Sequence, residues 1–171
     1  ILFDPPPDID FVFPLLNRAG FFNSEMLVPL LCERAGLPYL GASPILRGLS
    51  DDKHLAKRAA VDAGLPTAPW TIYRKGASVT PDALPAADRF VIKPNNSSAS
   101  WGVQDAFDWN GVEAAVKRIH EDPDNGGQDA IVEPFIDGSD VEVPVVTING
   151  EPQILPMLIF RQADPSHLRT Y

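Results

Sequence analysis

The order of apolar segments predicts a chain of two parts, an α/β unit over residues 1–64 and an α+β unit over residues 65–171. Three observations carry this reading. Two apolar runs flank a helical repeat near the start, which is a strand–helix–strand signal. The later segments read as strands interrupted by one helix, closing on an alternating stretch around "NGE", which signals a hairpin. Glycine and proline between Gly64 and Pro69 punctuate the chain between these parts.

Each element follows from its local pattern. "DFVFPLL" (Asp10–Leu16) is a continuous apolar run of strand length, which predicts burial on both faces in a parallel sheet. Met26, Leu27, Leu30, Leu31 and Ala35 then recur at helical spacing. Asn23 or Ser24 is the expected N-cap, and Gly36 the expected left-handed C-terminal residue, with Pro38 beyond it. Pro29 sits awkwardly in this helix and blurs its start. "LPYLGAS" reads as a short second strand. "LSDDKHLAKRAAVDAGLP" is the clearest helix: Ser50 is the expected cap, Asp51 and Asp52 favour the first turn, and Gly64 ends it. Its Leu55, Ala59, Ala60 and Ala63 predict a small-residue face packed closely on a sheet.

"APWTIYRKG" is a strand, and a proline-bearing connector (Thr80–Asp88) leads to a second, "RFVIKP". After a polar loop, "GVQDAFD" is strand-like. "NGVEAAVKRIHED" is a helix with Val112, Ala115, Val116 and Ile119 on one face. "GQDAIVEPFIDG" is a strand and turn, and "DPDNGG" (Asp122–Gly127) a plain loop.

Composition narrows the function classes. The chain has 171 residues and a net charge of −9, which argues against a nucleic-acid partner. An anionic small ligand remains open, because a few lysines dominate locally within a Debye length of ~10 Å. The single cysteine, Cys32, allows no internal disulfide and reads as a core residue. No apolar run approaches the ~18 residues of a membrane helix, so no membrane partner and a cytoplasmic location are expected. His54, His120 and His167 lack metal-like spacing. The start at Ile1 and the stop at "DPSHLRTY" suggest a piece of a longer protein.

The stretch that carries chemistry is "RFVIKPNNSSASWGV". A buried-looking strand ends on Lys93, and small polar residues follow up to Gly102. Such a loop can offer backbone N–H and hydroxyl groups to a polyphosphate. Lys53 lies forty residues before Lys93, in the first turn of a helix. Glu133 lies forty residues after it, at the end of "AIVE".

Lysine, lysine with polar loop, then acid, in this order, resembles the ATP-grasp superfamily and within it the D-alanine–D-alanine ligase-like members. The resemblance spans "DFVFPLL", "LPYLGAS", "DDKHLAKRAAVDAGLP", "VIKP", "IVEPFIDGSDVEVPV" and "ILP". It implies a Rossmann-like pre-ATP-grasp unit followed by a partial ATP-grasp module. It also implies an ATP site. Lys53 and Lys93 would reach the nucleotide phosphates, and Ser98, Ala99, Ser100 and Gly102 would form the phosphate loop. Glu133 would accept from the adenine amino group, as would the Pro134 carbonyl, and Ile136, two residues further on past Phe135, would donate its N–H to the ring. Asp140 would hold the ribose.

Departures from the family pattern are visible. Ser98 and Ala99 stand where the family has Gly and Ser, and Asp140 where it has glutamate. "NRAGFFNSE" lacks the family's Gly-rich His-Gly segment, of which Glu25 is a loose echo, so D-alanine is not implied as the substrate. The family's first βα unit is expected before Ile1. Its Mg²⁺ ligands and nearby arginine are expected after Tyr171.

The resemblance thus implies an ATP-dependent ligase joining a small-molecule carboxylate to an amine through an acyl phosphate, and allows a homodimer. The segment alone is expected to be inactive. A non-catalytic nucleotide-binding module is the alternative. A plain Rossmann domain is disfavoured, since no Gly-x-Gly-x-x-Gly opens a helix. Each residue also has a bland reading: Lys53 a solvated first-turn residue, Lys93 an exposed strand end, Glu133 and Asp140 turn acids, Glu142 a solvent-facing strand residue. Trp101 either anchors the loop or covers the nucleotide.

Overall fold

A computed structural model describes residues 4–15, 24–123, 127–161 and 168. Leu16, Asn23, Asp124 and His167 lie outside the described residues.

The first helix, α1 (Leu27–Ala35), follows a 3₁₀ turn at Ser24–Met26 and ends on Gly36 in the left-handed region at φ 67°. Pro29 is tolerated because it falls in the first turn, where the missing N–H would have had no intrahelical acceptor. Cys32 is a buried core residue, as expected, and burial pushes its thiol pKa up.

The early strands are correct in direction and overstated in extent. Val12 and Tyr39 form one isolated parallel bridge, with Val12 N–H donating to the Pro38 carbonyl at 2.9 Å. Phe11 and Phe13 are 54% and 62% exposed, so the burial on both faces expected of this run is not met. A single bridge gives the run no sheet to be buried in. A Rossmann-like sheet is therefore not seen among the described residues.

The clearest predicted helix begins differently. Two helices meet here: α2 (Pro44–Asp51), capped by Ser43, and α3 (Lys53–Asp62), capped by Asp52, whose Oδ1 accepts from Leu55 N–H at 2.9 Å. Ser50 is therefore no cap; its hydroxyl donates to the Arg47 carbonyl at 2.9 Å. Asp52 takes the role because its extended backbone (φ −89°, ψ 103°) breaks the helix at that residue. No residue of α3 is fully buried, so the small-residue face does not pack on a sheet as expected.

The centre is a four-stranded antiparallel sheet in the order β1 (Thr71–Tyr73), β4 (Ala130–Pro134), β2 (Phe90–Pro94), β3 (Gln104–Ala106). α4 (Trp109–Glu121) covers one face, and Asp108 caps it by accepting from Gly111 N–H at 2.8 Å. Its predicted stripe of Val112, Ala115, Val116 and Ile119 is buried against Tyr73, Phe90, Ile92, Ala106, Ala130 and Val132. Each Val or Ile so buried contributes about 1.5–3 kcal/mol. Strand periodicity then assigns the other face: Val91 and Lys93 of β2 lie across from Glu133 and Ile131 of β4 and point away from α4.

Beyond β4 the chain forms two nested antiparallel pairs, β5 (Val141–Glu142) with β8 (Leu158–Ile159) and β6 (Val145–Ile148) with β7 (Glu151–Ile154). Asn149 and Gly150 both take positive φ, 53° and 83°, which is the two-residue turn that "NG" predicts. Glu142 is exposed, as its bland reading has it.

Candidate functional site

The face of the sheet opposite α4 carries a cleft of about 510 Å³. Its walls include Lys53, Lys93, Ser98, Ala99, Ser100, Glu133, Pro134, Phe135, Ile136 and Asp140, together with Ala68, Val91, Ser97, Val103, Gly138 and Leu168. Every residue expected at the ATP site therefore lines one cavity, except Gly102. Gly102 acts from behind. A Cβ there would lie 2.7 Å from Pro94 Cγ, and its φ is +71°, so only glycine lets the loop close down on the strand end.

The base of the loop is a fixed polar block. Asn95 is 2% exposed, and its N–H donates to the Asp129 carbonyl at 2.8 Å. Its carbonyl accepts from Lys53 N–H at 3.1 Å, and its Oδ1 from His54 N–H at 2.9 Å. These are two of the first N–H groups of α3, which have no partner within the helix. Gln128 exchanges two hydrogen bonds with the Asn96 backbone, at 2.6 and 3.1 Å. The amides at the start of α3 are thus already used, and this helix reaches the cleft through the Lys53 side chain. The ammonium donates to the Ser97 carbonyl at 2.6 Å and to Ser97 Oγ at 3.1 Å, so Lys53 is not the freely solvated residue of its bland reading.

The loop above is held in an uncommon shape. Ala99 and Ser100 take φ of 51° and 57°, a left-handed conformation that disfavours side-chain-bearing residues by roughly 1–2 kcal/mol each. Trp101 N–H donates to the Ser98 carbonyl at 3.1 Å and Val103 N–H to that of Ser100 at 3.2 Å. Two tight turns in succession leave small residues against the cleft. Trp101 is 66% exposed, so it does not anchor the loop by burial.

Electrostatically the centre is Glu133. Its side chain is 12% exposed and ion-paired to two lysines, Lys93 on Oε1 and Lys57 on Oε2, the latter at 2.8 Å. Burial pushes the Glu133 carboxyl up, but Lys93 and Lys57 outweigh it and hold the pKa below the usual carboxylate range. Lys57 escaped the sequence reading. Its spacing from Lys53, four residues along one helix, was the available signal, since i and i+4 share a face. Trp70, whose Nε1–H donates to His54 Nδ1 at 2.9 Å, also escaped it.

Arg89 backs the wall residue Phe135. Its guanidinium lies 3.9 Å from the Phe135 ring centroid and 5.4 Å from that of Phe107, and it pairs with Asp105 at 2.6 Å. Phe135 N–H donates to the Arg89 carbonyl at 2.9 Å, fixing the segment after Glu133 to the sheet edge. Asp140 is placed by its carbonyl, which accepts from Phe160 N–H at 3.0 Å. Among the described residues, no three His, Cys, Asp or Glu side chains group in a way that could hold a metal ion. None of the described helices is long and apolar enough to cross a membrane.

The cleft suits a nucleotide by its donor and acceptor set: two lysines and the loop hydroxyls, with a buried acid paired to one of those lysines and the backbone of residues 134–136 beside it. No protein-family model matches the chain. It is 38% identical over 135 residues to the uncharacterized protein y4sG of Sinorhizobium fredii, covering 78% of this chain. It is 33% identical over 156 residues to a D-alanine–D-alanine ligase of Frankia casuarinae, covering 87% of this chain. The chain spans 38% of the length of each of these relatives.

Among solved structures, the D-alanine–D-alanine ligase of Helicobacter pylori superposes with a TM-score of 0.72 at 20% identity, covering 93% of this chain and 49% of that one. The Bacillus anthracis D-alanine–D-alanine ligase complexed with ATP gives 0.69 at 22% identity, covering 91% and 49%. The resemblance read from the motifs therefore holds over most of the 171 residues, and the chain is a D-alanine–D-alanine ligase-like member of the ATP-grasp superfamily.

Proposed function

We propose that the cleft binds ATP and that this chain is the nucleotide-binding part of an ATP-dependent ligase joining a small-molecule carboxylate to an amine. The observation that supports this best is the convergence of Lys53, Lys93, the 98–100 loop, Glu133–Ile136 and Asp140 on one cavity. In the reaction, a substrate carboxylate oxygen attacks the γ-phosphorus of ATP and ADP leaves. The amine then attacks the acyl phosphate, loses a proton and displaces inorganic phosphate.

This chain's contribution is binding and charge neutralisation. Lys93, at the mouth of β2, takes the phosphates, and the Ser98–Ser100 turn lies against them under the hold of Gly102. Lys53 supports that turn through Ser97. The Pro134 carbonyl accepts from the adenine amino group and Ile136 N–H donates to the ring, while Asp140 stands at the ribose. The 171 residues made alone are expected to bind nucleotide without ligating, and steady substrate-dependent ADP release from them would overturn that. Titration of ATP into full-length Lys93→Ala tests the site. Loss of a charge-assisted phosphate contact is expected to cost about 1.5–3 kcal/mol, or ten- to a hundredfold in affinity. Unchanged affinity would remove the assignment.

A further inference from the structure

Two lysines share one carboxylate in this cleft, and only one of them lines it. Lys93 is a wall residue and its side chain is 29% exposed. Lys57 lies outside the wall, and its side chain is 14% exposed. The two divide Glu133 between them, one oxygen each. On the reading proposed above, Lys93 leaves Oε1 when it turns to a phosphate. A buried carboxylate stripped of its only partner opposes such a move, because the desolvation of the charge is no longer offset. Here the carboxylate keeps a partner.

Lys57 is built to stay where it is. Its Nζ also donates to Thr67 Oγ1 at 2.9 Å and lies 5.3 Å from the Trp70 ring centroid. Trp70 is in turn tied to α3 by its hydrogen bond to His54. Two further contacts, from the segment that follows α3, thus hold this ammonium against Glu133 Oε2. Among the described residues Lys93 pairs with Glu133 alone, and it sits near a strand end on the cleft wall.

We propose that Lys57 is a positioning residue that keeps Glu133 paired when Lys93 transfers to the nucleotide phosphates, and so sets nucleotide affinity without touching the nucleotide. The inference rests on the ATP reading of the cleft. It makes Lys93 exchangeable: the same lysine orders the empty cleft through Glu133 and serves the ligand when it arrives. It also requires that Lys57 act only through Glu133, which a double-mutant cycle isolates.

The test is ATP titration by calorimetry in the full-length protein, for wild type, Lys57→Met, Lys57→Arg, Glu133→Gln and the pair Lys57→Met/Glu133→Gln. Lys57→Met is expected to weaken ATP by about tenfold, within the coupling seen in ion-pair networks. Lys57→Arg, which keeps the charge, is expected to recover most of this. In the Glu133→Gln background no anion needs keeping, so adding Lys57→Met is expected to change affinity by less than about twofold. A merely structural lysine would weaken binding in both backgrounds. The last comparison stands even if Lys57→Met alone does not fold. Wild-type protein that fails to bind ATP would overturn the functional reading and this inference together. Wild-type binding with equal losses from Lys57→Met in both backgrounds, or with no loss in either, would overturn the inference alone.

Discussion

Gly102→Ala offers a quantitative check on how the loop is seated. The added Cβ would lie 2.7 Å from Pro94 Cγ and 3.3 Å from Pro94 Cδ. Carbon atoms in contact prefer roughly 3.5–4.0 Å, so about 1 Å of movement is required. Pro94 is buried in β2 and its ring cannot rotate aside. The loop must therefore lift, or the strand end carrying Lys93 must yield. Overpacking of this kind destabilises by about 1–3 kcal/mol. A separate penalty of roughly 1–2 kcal/mol arises because φ is +71°.

Gly76 separates the two effects. Its φ is +81°, yet nothing lies within 4 Å of a Cβ built there. Gly76→Ala should therefore incur the backbone penalty alone. Urea unfolding of both variants should show Gly102→Ala less stable than Gly76→Ala by about 1–3 kcal/mol. Losses equal within about 0.5 kcal/mol would mean that the loop does not rest on Pro94, and the account of a closed phosphate loop would fail.

Other outcomes follow from the same structure. Ile92→Ala, at a fully buried position between β2 and α4, should cost about 2–5 kcal/mol, whereas Val145→Ala, at a residue 56% exposed, should stay within about 0.5 kcal/mol; denaturant melts measure both. Glu133 has its pKa lowered in the folded chain by Lys93 and Lys57 against the effect of burial, so its contribution is complete above the unfolded carboxylate pKa of about 4.3. That contribution is lost as pH falls through the lower folded value, and the stability gap between wild type and Glu133→Gln should narrow over that acid range in urea melts at stepped pH. ATP should bind more tightly than GTP, because guanine presents the opposite donor–acceptor pattern to the Pro134 carbonyl and Ile136 N–H and would leave groups that the bound base covers unpaired, at about 1–3 kcal/mol each; comparable affinities in calorimetry would count against that pocket.

What the sequence disclosed was whatever periodicity and punctuation encode. The α4 stripe, the Asn149-Gly150 turn, the Gly36 stop and the strand that carries Lys93 at its end (Phe90–Pro94) were all legible, because each is a local pattern with a local cause. The break between α2 and α3 was not. Asp51 and Asp52 both suit a first turn, and only the backbone shows that Asp52 is the cap. The apolar run near Phe11 was misjudged because burial depends on partners that no single run specifies. In the site, chain order and motif gave the wall residues. Lys57, Asn95 and Gln128 stayed hidden, since what they do is satisfy groups brought near only by the fold.

The block at Asn95 has a mechanical consequence. One asparagine takes two amides from the start of α3 while its own N–H is tied to the sheet-side residue Asp129, so helix and strand share a rigid corner. Residues 98–102 span from that corner to Gly102 on Pro94 like a bridge deck between two piers. Tilting α3 would then shift one pier against the other, because the corner cannot bend without breaking its hydrogen bonds. Whatever pushes on the outer face of α3, far from the cleft, would be felt at Ser98 and Ser100 as a change in reach.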